Sequence, residues 1–558
     1  MLCPLMAMAQ FKISGKITEV NGKALSGASV SLKPKGFTVV SNANGSYEFT
    51  QLSPGLYTLV VSYVGFATQE TKLNVTANAT ADFKMQQLAF LADEVVVSAT
   101  RVAKNSAFTY KNLNKSDINK VNQGQDLPYL LNQTPSVVVT SDAGAGVGYT
   151  GIRIRGSDAT RINVTLNGIP LNDAESQGSF FINVPDLASS VDNIQIQRGV
   201  GTSTNGAGAF GASLNIQTTT KRDSAYAELN NTYGSYEIWR NSVSVGTGLI
   251  KNKFSFDGRL SRIKSDGYID RASSDLKSFF VTGAYYGKQD IMRFNVFSGA
   301  EKTYQAWNGV PESLLKTDRT HNDFTYDNQT DNYQQDHYQF FYTRNLANQL
   351  VANVALHYTY GRGYYEEFKK DRKFADYKMD PIIIKDPITN LPISTINRTD
   401  LVRRLWLDNH FYGTTYSLAY SPKTNLNFTL GGAYNQYDGK HFDEVIWAKF
   451  AGYNGEGSIR HRYDDNDAAK NDFNIFVRVN YQLDQLNIFA DLQYRNIFYS
   501  YFGLDANANP AQQNARLAFF NPKFARVSVS LRATAPCAPS AREHWGGSSK
   551  TSRRPGRV

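Results

Sequence analysis

From about Lys221 onward, apolar and polar residues alternate with a period of two. In residues 426–434, Leu426, Phe428, Leu430, Gly432 and Tyr434 fall on one face, and Asn427, Thr429, Gly431 and Ala433 on the other. In residues 486–495, Leu486, Ile488, Ala490, Leu492 and Tyr494 oppose Asn487, Phe489, Asp491, Gln493 and Arg495. Residues 254–261, 412–420 and 473–481 repeat the pattern. Short turns at 421–425 and 482–485 join consecutive strands, while long polar, aromatic stretches at 301–335, 361–409 and 435–471 are predicted as loops. Earlier in the chain, residues 10–87 alternate over shorter runs cut by Asn21-Gly22, Asn44-Gly45 and Pro54-Gly55, which predicts a small β-sandwich. Between the two, runs at 152–154, 162–166 and 194–197 are separated by glycines and by the hairpin signal Asn167-Gly168.

Composition changes the picture in one respect. Mean hydropathy is −0.41, and no run of about 18 apolar residues could form a transmembrane helix. Aromatic residues nevertheless reach 13%, with 33 Tyr and 33 Phe. A barrel wall produces this pairing, because only every second residue faces lipid and aromatic girdles mark the interfaces. A Tyr-rich soluble β-protein is the alternative. The two cysteines, Cys3 and Cys537, lie in the end segments, as suits a chain that crosses an oxidising compartment.

The segment from Gly151 to Thr218 carries the most specific pattern. It reads G-I-R-I-R-G-S-D-A-T-R-I-N-V-T-L-N-G-I-P-L-N-D and later I-Q-I-Q-R-G-V-G-T-S-T-N-G-A-G-A-F-G-A-S-L-N-I-Q-T. This resembles the plug domain of TonB-dependent outer-membrane receptors, with Ala212-Ser213-Leu214 departing from the usual Gly-Gly-Val or Gly-Val-Ile. Residues 10–87, with G-K-I-T, L-S-G-A-S-V-S-L, N-G-S-Y-E-F and S-Y-V-G-F, are similar to the carboxypeptidase-regulatory-like domain that often precedes the plug in receptors of Bacteroidetes-type bacteria.

The resemblance implies a mainly β chain: a small N-terminal β-sandwich, a plug domain (104–220) and the first part of a transmembrane antiparallel β-barrel (221–524). In the linker 88–103, Asp93, Glu94, Val95, Val96 and Val97 look like a TonB box, able to add a strand to a partner sheet. An ordinary connector is the alternative. Partners implied are TonB with ExbB and ExbD, outer-membrane lipid and a small ligand, most often a ferric siderophore; no cofactor is required. Arg153, Arg155 and Arg198 stand where family members pair plug arginines with barrel carboxylates, a latch; solvation in a wet lumen is the other reading. The plug apices at 141–149 and 172–181 offer Asp142, Tyr149, Asn172, Asp173, Phe180 and Phe181 to a ligand.

Other motifs carry less. Gly206-Ala-Gly208-Ala-Phe-Gly211 satisfies G-x-G-x-x-G, but a strand-like run follows where a dinucleotide site needs a helix. His441 and Glu444 have zinc-ligand spacing but fall in a predicted loop. No hydrolase or Walker motif occurs, so an importer is expected and not an enzyme. Residues 1–9 end in Ala7-Met8-Ala9, read as the back half of a signal peptide. About eleven strand candidates follow Lys221, against ~22 in plugged transporters. Residues 525–558 hold seven Arg/Lys and one acid, a net +6 of the chain's +10, and read as out-of-frame translation after a frameshift near Phe524 or as a fragment edge. The basic charge thus lies largely in that tail, and a nucleic-acid partner is not expected. Alternative functions are a SusC-like oligosaccharide importer, a haem receptor or a surface adhesin.

Overall fold

The computed structural model describes residues 10–85, 109–202, 210–218, 222–450, 460–504 and 509–528, apart from 21, 35, 64, 65, 67, 348, 424, 484 and 485. The N-terminal unit has eight strands: β1 (Phe11–Glu19), β2 (Ser29–Lys33), β3 (Phe37–Val40), β4 (Ser46–Leu52), β5 (Gly55–Ser62), β6 (Gln69–Val75), β7 (Ala79–Thr80) and β8 (Phe83–Met85). They form two sheets, β4-β1-β7 with β8 also on β1, and β3-β2-β5-β6. Alternate residues turn inward, so Ile13, Ile17, Val30, Leu32, Leu59 and Val61 share one dry core.

The second unit is built from β9 (Tyr110–Asn114), α1 (Lys115–Val121), α2 (Leu127–Leu130), β10 (Val137–Ser141), β11 (Thr150–Ile154), β12 (Ile162–Leu166), β13 (Ile169–Pro170), α3 (Leu187–Ser190), β14 (Val191–Arg198) and β15 (Ala212–Thr218). Its main sheet has the order β13-β12-β15-β14-β9, with β12 and β15 parallel; β10 and β11 form a separate hairpin. The predicted turn is present: Asn167 and Gly168 both adopt positive φ, 57° and 82°, closing the two-residue hairpin between β12 and β13.

Twelve antiparallel strands then follow in chain order. They are β16 (Tyr226–Gly234), β17 (Ile238–Gly246), β18 (Phe254–Ser265), β19 (Ser274–Tyr286), β20 (Asp290–Tyr304), β21 (Thr330–Ala347) and β22 (Leu350–Lys373). A small hairpin of β23 (Ile382–Lys385) and β24 (Pro392–Ile396) interrupts the run. The wall continues with β25 (Arg398–Lys423), β26 (Leu426–Ala448), β27 (His461–Leu483), β28 (Leu486–Leu504) and β29 (Pro510–Ser528). Among the described residues β16 and β29 each have one strand neighbour, so the wall is a partial, unclosed barrel.

Burial along the wall is inverted relative to a soluble protein. In β18, Ser255, Arg259 and Ser261 are buried, while Phe256 and Leu260 are exposed at 53% and 68%. The same holds in β28, where Asp491 is fully buried and Leu492 is half exposed. Polar side chains face the plug and apolar ones face outward, as a lipid-facing wall requires.

Three expectations need correction. Among the described residues the wall has twelve strands, against the expected eleven or so. The predicted loops are shorter: β22 runs to Lys373, and β26 covers residues 426–448. Pairing needs only the backbone, so strands continue where the inward face becomes polar, as at Glu366, Glu367, Asn435 and Glu444, and the apolar alternation fades. His441 therefore lies in a strand and not in a loop. Strand β29 continues past Phe524 to Ser528.

Candidate functional site

The plug packs its own core against the wall. Phe280 of β19 and Phe297 of β20 join the plug cluster of Ile152, Leu166 and Phe181, their rings stacked 5.4 Å apart. Close approach is secured by Gly299, where an added Cβ would lie 2.2 Å from the Asn183 carbonyl oxygen.

Two polar contacts fix the plug more specifically. The first is at Asp186, at the N-cap of α3, in a left-handed conformation with φ 53°. That turn aims its carboxylate at the wall, with Ser189 of the helix beside it. Oδ1 lies 3.1 Å from the Arg240 guanidinium, and Oδ2 lies 2.8 Å from that of Arg259. Ser261 donates to Oδ2 at 2.7 Å and Ser189 to Oδ1 at 2.7 Å. The carboxylate side chain is 1% exposed. Burial alone would raise its pKa, but Arg259 and Arg240 outweigh it, and the pKa is lowered.

The second contact is at Glu175, in the loop after β13. Asp173 Oδ1 accepts from the backbone N–H of Glu175 at 3.1 Å and of Ser176 at 2.7 Å, a local turn that aims Glu175 at the wall. Tyr437 donates to Oε2 at 2.7 Å and Tyr499 to Oε1 at 2.9 Å. His441 Nε2 lies 3.0 Å from Oε2. Burial works against the ionised form, yet His441 and Tyr437 lower its pKa overall. Lys470 adds a bond of 2.5 Å to the Ala174 carbonyl oxygen.

Beside Glu175 lies a cleft of about 980 Å³, on the side where the long connections join the strands. The plug contributes Tyr149, Asp173, Glu175, Ser176 and Phe180; the wall contributes Glu301, Asp331, Tyr333, Tyr364, Tyr365, Leu405, Tyr437 and His441. Tyr149 donates its hydroxyl to Asp331 and meets Trp307 edge-on, with ring centroids 5.7 Å apart. Burial raises the Tyr149 pKa well above its ordinary value, so the phenol stays protonated. The Tyr149 loop is pinned from below by Asp126, which accepts from Thr150 Oγ1 at 3.1 Å. Burial pushes the Asp126 pKa up to about 8. On the short-turn side, a second space of about 1200 Å³ separates Asn163, Thr165 and Asn167 of the plug from Asn353, Tyr416 and Asn474 of the wall. Among the described residues, no group of three or more metal-ligating side chains comes together.

The predicted site residues separate clearly. Tyr149, Asp173 and Phe180 line the cleft. Asn172 instead braces its own loop, accepting from Val164 N at 2.7 Å and donating to the Ile162 carbonyl at 2.9 Å, and Phe181 is buried in the plug core. Asp142 is exposed on the neighbouring loop, where its N–H closes onto the Tyr149 carbonyl. Arg153 and Arg155 are exposed, and none of Arg153, Arg155 and Arg198 forms an ion pair with a described barrel carboxylate. The two Arg-Gly steps instead face each other, with the Arg155 guanidinium 3.3 Å from where a Cβ on Gly199 would stand. Asp93, Glu94, Val95, Val96 and Val97 lie outside the described residues. Sequence reasoning did not single out Asp186, Asp126, Glu301 or Asp331, which carry no motif, and within the 172–181 apex it named Asp173 and not Glu175. The glycine-rich decoy is followed by strand β15, and His441 turns toward the plug carboxylate.

Comparison with known proteins agrees with this architecture. Residues 13–97 match the CarboxypepD_reg-like domain, and residues 102–213 match the TonB-dependent Receptor Plug Domain. A comparison with curated protein sequences finds no match. Among solved structures, the chain is similar to the ferric yersiniabactin uptake receptor FyuA from Yersinia pestis, at 10% identity and a TM-score of 0.57, over 76% of this chain and 62% of that one. It is similar to the open form of the ferric-catecholate import receptor Fiu from E. coli K12, at 13% identity and TM-score 0.54, over 76% and 67%. The unliganded ferric citrate transporter FecA gives 15% identity and TM-score 0.54, over 76% and 60%. The chain thus spans roughly three fifths of the length of these proteins. With a CarboxypepD_reg-like domain, a TonB-dependent receptor plug domain and a partial barrel wall around the plug, the chain has the architecture of the TonB-dependent receptors.

Proposed function

We propose that this chain belongs to an energised outer-membrane importer of a scarce ligand, most readily a ferric siderophore, working with TonB, ExbB and ExbD. The observation that supports this is a plug seated inside the wall with two of its loops lining an outward cleft. A seated plug leaves the ligand nowhere to go unless the plug is rearranged. The polar space on the short-turn side is where a path would open. The proton-motive force would supply the work, delivered by TonB pairing as an added strand with Asp93–Val97.

The test is Val96→Pro in the full-length receptor, because proline removes the N–H that strand addition needs. Uptake is measured with radio-iron-labelled hydroxamate, catecholate and citrate chelates, haemin and maltoheptaose. The expected result is uptake of an iron chelate by wild type and its loss in the variant, with surface binding unchanged. Normal uptake by Val96→Pro removes the segment as the coupling site, and uptake of maltoheptaose or haemin alone replaces the siderophore reading.

A further inference from the structure

The cleft has a sign. Its lining holds four carboxyl groups, Asp173, Glu175, Glu301 and Asp331, and neither lysine nor arginine. Three of the four are engaged by the protein itself. Asp173 accepts from its own loop, Glu175 faces His441, and Asp331 takes the Tyr149 hydroxyl. Glu301 is different. It is 7% exposed and lines the cleft with both carboxyl oxygens buried; the Tyr149 and Thr303 hydroxyls lie beside it, and it forms no ion pair with a described residue. A buried carboxyl group is costly unless it is paired, and no described cation compensates this one.

The described basic groups beside the cleft are already paired, beginning with His441, which faces Glu175 at 3.0 Å. Arg403 donates to Glu367 at 2.6 Å and Arg404 to Glu366 at 2.8 Å, so the basic groups of β25 are already committed. The same cleft is lined by Tyr149, Tyr333, Tyr364 and Tyr365, whose ring faces attract cations as well as apolar surface; one face of Tyr364 already carries Arg404, 4.2 Å from the ring centroid. An anionic ligand entering here would meet four carboxyl groups against one basic residue, His441, which Glu175 already holds.

We propose that the ligand of this cleft carries a positive charge, an ammonium-type donor that reaches Glu301, on a body that packs against the tyrosines. This rests on the importer reading and narrows its substrate to cationic chelates. Anionic chelates of the citrate or catecholate kind are disfavoured. Asp331, bonded to Tyr149, then links an occupied cleft to the plug loop directly, since ligand and loop share one carboxylate neighbourhood.

The experiment uses three ferric trihydroxamates of nearly one shape and different charge: ferrioxamine B with its free ammonium, its neutral N-acetyl form and its anionic N-succinyl form. Binding to the purified full-length receptor is measured by calorimetry. The expected order is ammonium tightest, by about ten- to a hundredfold over N-acetyl, with N-succinyl weakest. Glu301→Gln should erase the difference between the first two. The wild-type order alone decides the matter should that variant fold poorly. Equal affinities, tightest binding of N-succinyl, or no binding of ferrioxamine B up to about 1 mM overturns the proposal. A receptor that still depends on Val96 for uptake but fails this test loses only the charge assignment; one that imports without Val96 loses the coupling reading instead.

Discussion

The plug touches the wall through two carboxylates that are built in opposite ways. Asp186 sits between two arginines and two serine hydroxyls, with its side chain 1% exposed. Glu175 meets two tyrosine hydroxyls and a histidine at the edge of an open cleft, 21% exposed. The first contact is dry and fully charged, and breaking it strands buried cations. The second exchanges neutral hydroxyl donors that water can replace at modest cost. The difference suggests a division of labour. Asp186 holds the plug to strands β17 and β18, and Glu175 lets the cleft loop respond to what enters.

Breaking the dry contact should have the largest effect. Asp186→Ala leaves Arg240 and Arg259 buried without their shared partner, at a cost of about 3–5 kcal/mol. Cells carrying it should admit vancomycin, measured by growth inhibition; full exclusion would show that apolar packing alone retains the plug. The lowered pKa of Asp186 makes this contact stabilising above the ordinary aspartate range. That contribution is lost as pH falls through the lowered value.

Asp126 gives the opposite sign. With a pKa pushed up to about 8, the folded plug binds a proton that the unfolded chain releases near pH 4. Stability should therefore fall as pH rises between those values and level off above pH 8. Asp126→Asn should flatten that slope in thermal melts of the receptor; an unchanged slope would remove Asp126 as its source.

Glu175→Gln keeps an acceptor oxygen for only one of Tyr437 and Tyr499 and gives up the charge facing His441, costing about 1–2 kcal/mol. It should leave vancomycin exclusion intact while weakening ligand-dependent uptake. Leakage in this variant would erase the distinction between the contacts. The smallest effects are expected for Arg153→Ala and Arg155→Ala. Both side chains are exposed, so each should shift plug stability by no more than about 0.5 kcal/mol in a thermal melt.

Much of the architecture was legible because it repeats. Alternation over 426–434 and 486–495 marked wall strands, and the outward apolar face fell where Phe428, Leu430 and Leu492 are exposed. The Asn167-Gly168 hairpin followed from φ requirements alone. Strand ends were not legible, because in residues such as 435–448 the buried face is largely polar, with Asn435, Tyr437 and Glu444 turned inward, and the backbone ladder continues without an apolar signature. The contacts were legible only in part. Tyr149 and Phe180 were found because aromatic residues in a glycine-rich apex stand out. Asp186 was not, since Val-Pro-Asp-Leu reads as an ordinary helix start; its partners lie 54 and 73 residues away. Arginines beside glycines drew attention as a latch, yet the described ion pairs at Asp186 put the carboxylate on the plug and the arginines on the wall.

The most direct test of the two-contact account is hydrogen exchange on the full-length receptor with and without saturating ferrioxamine B. The account predicts that backbone amides in residues 172–181 slow on binding, while those in 186–191 keep the same rate in both states. Equal changes in the two segments, a change confined to 186–191, or no change in 172–181 would contradict it.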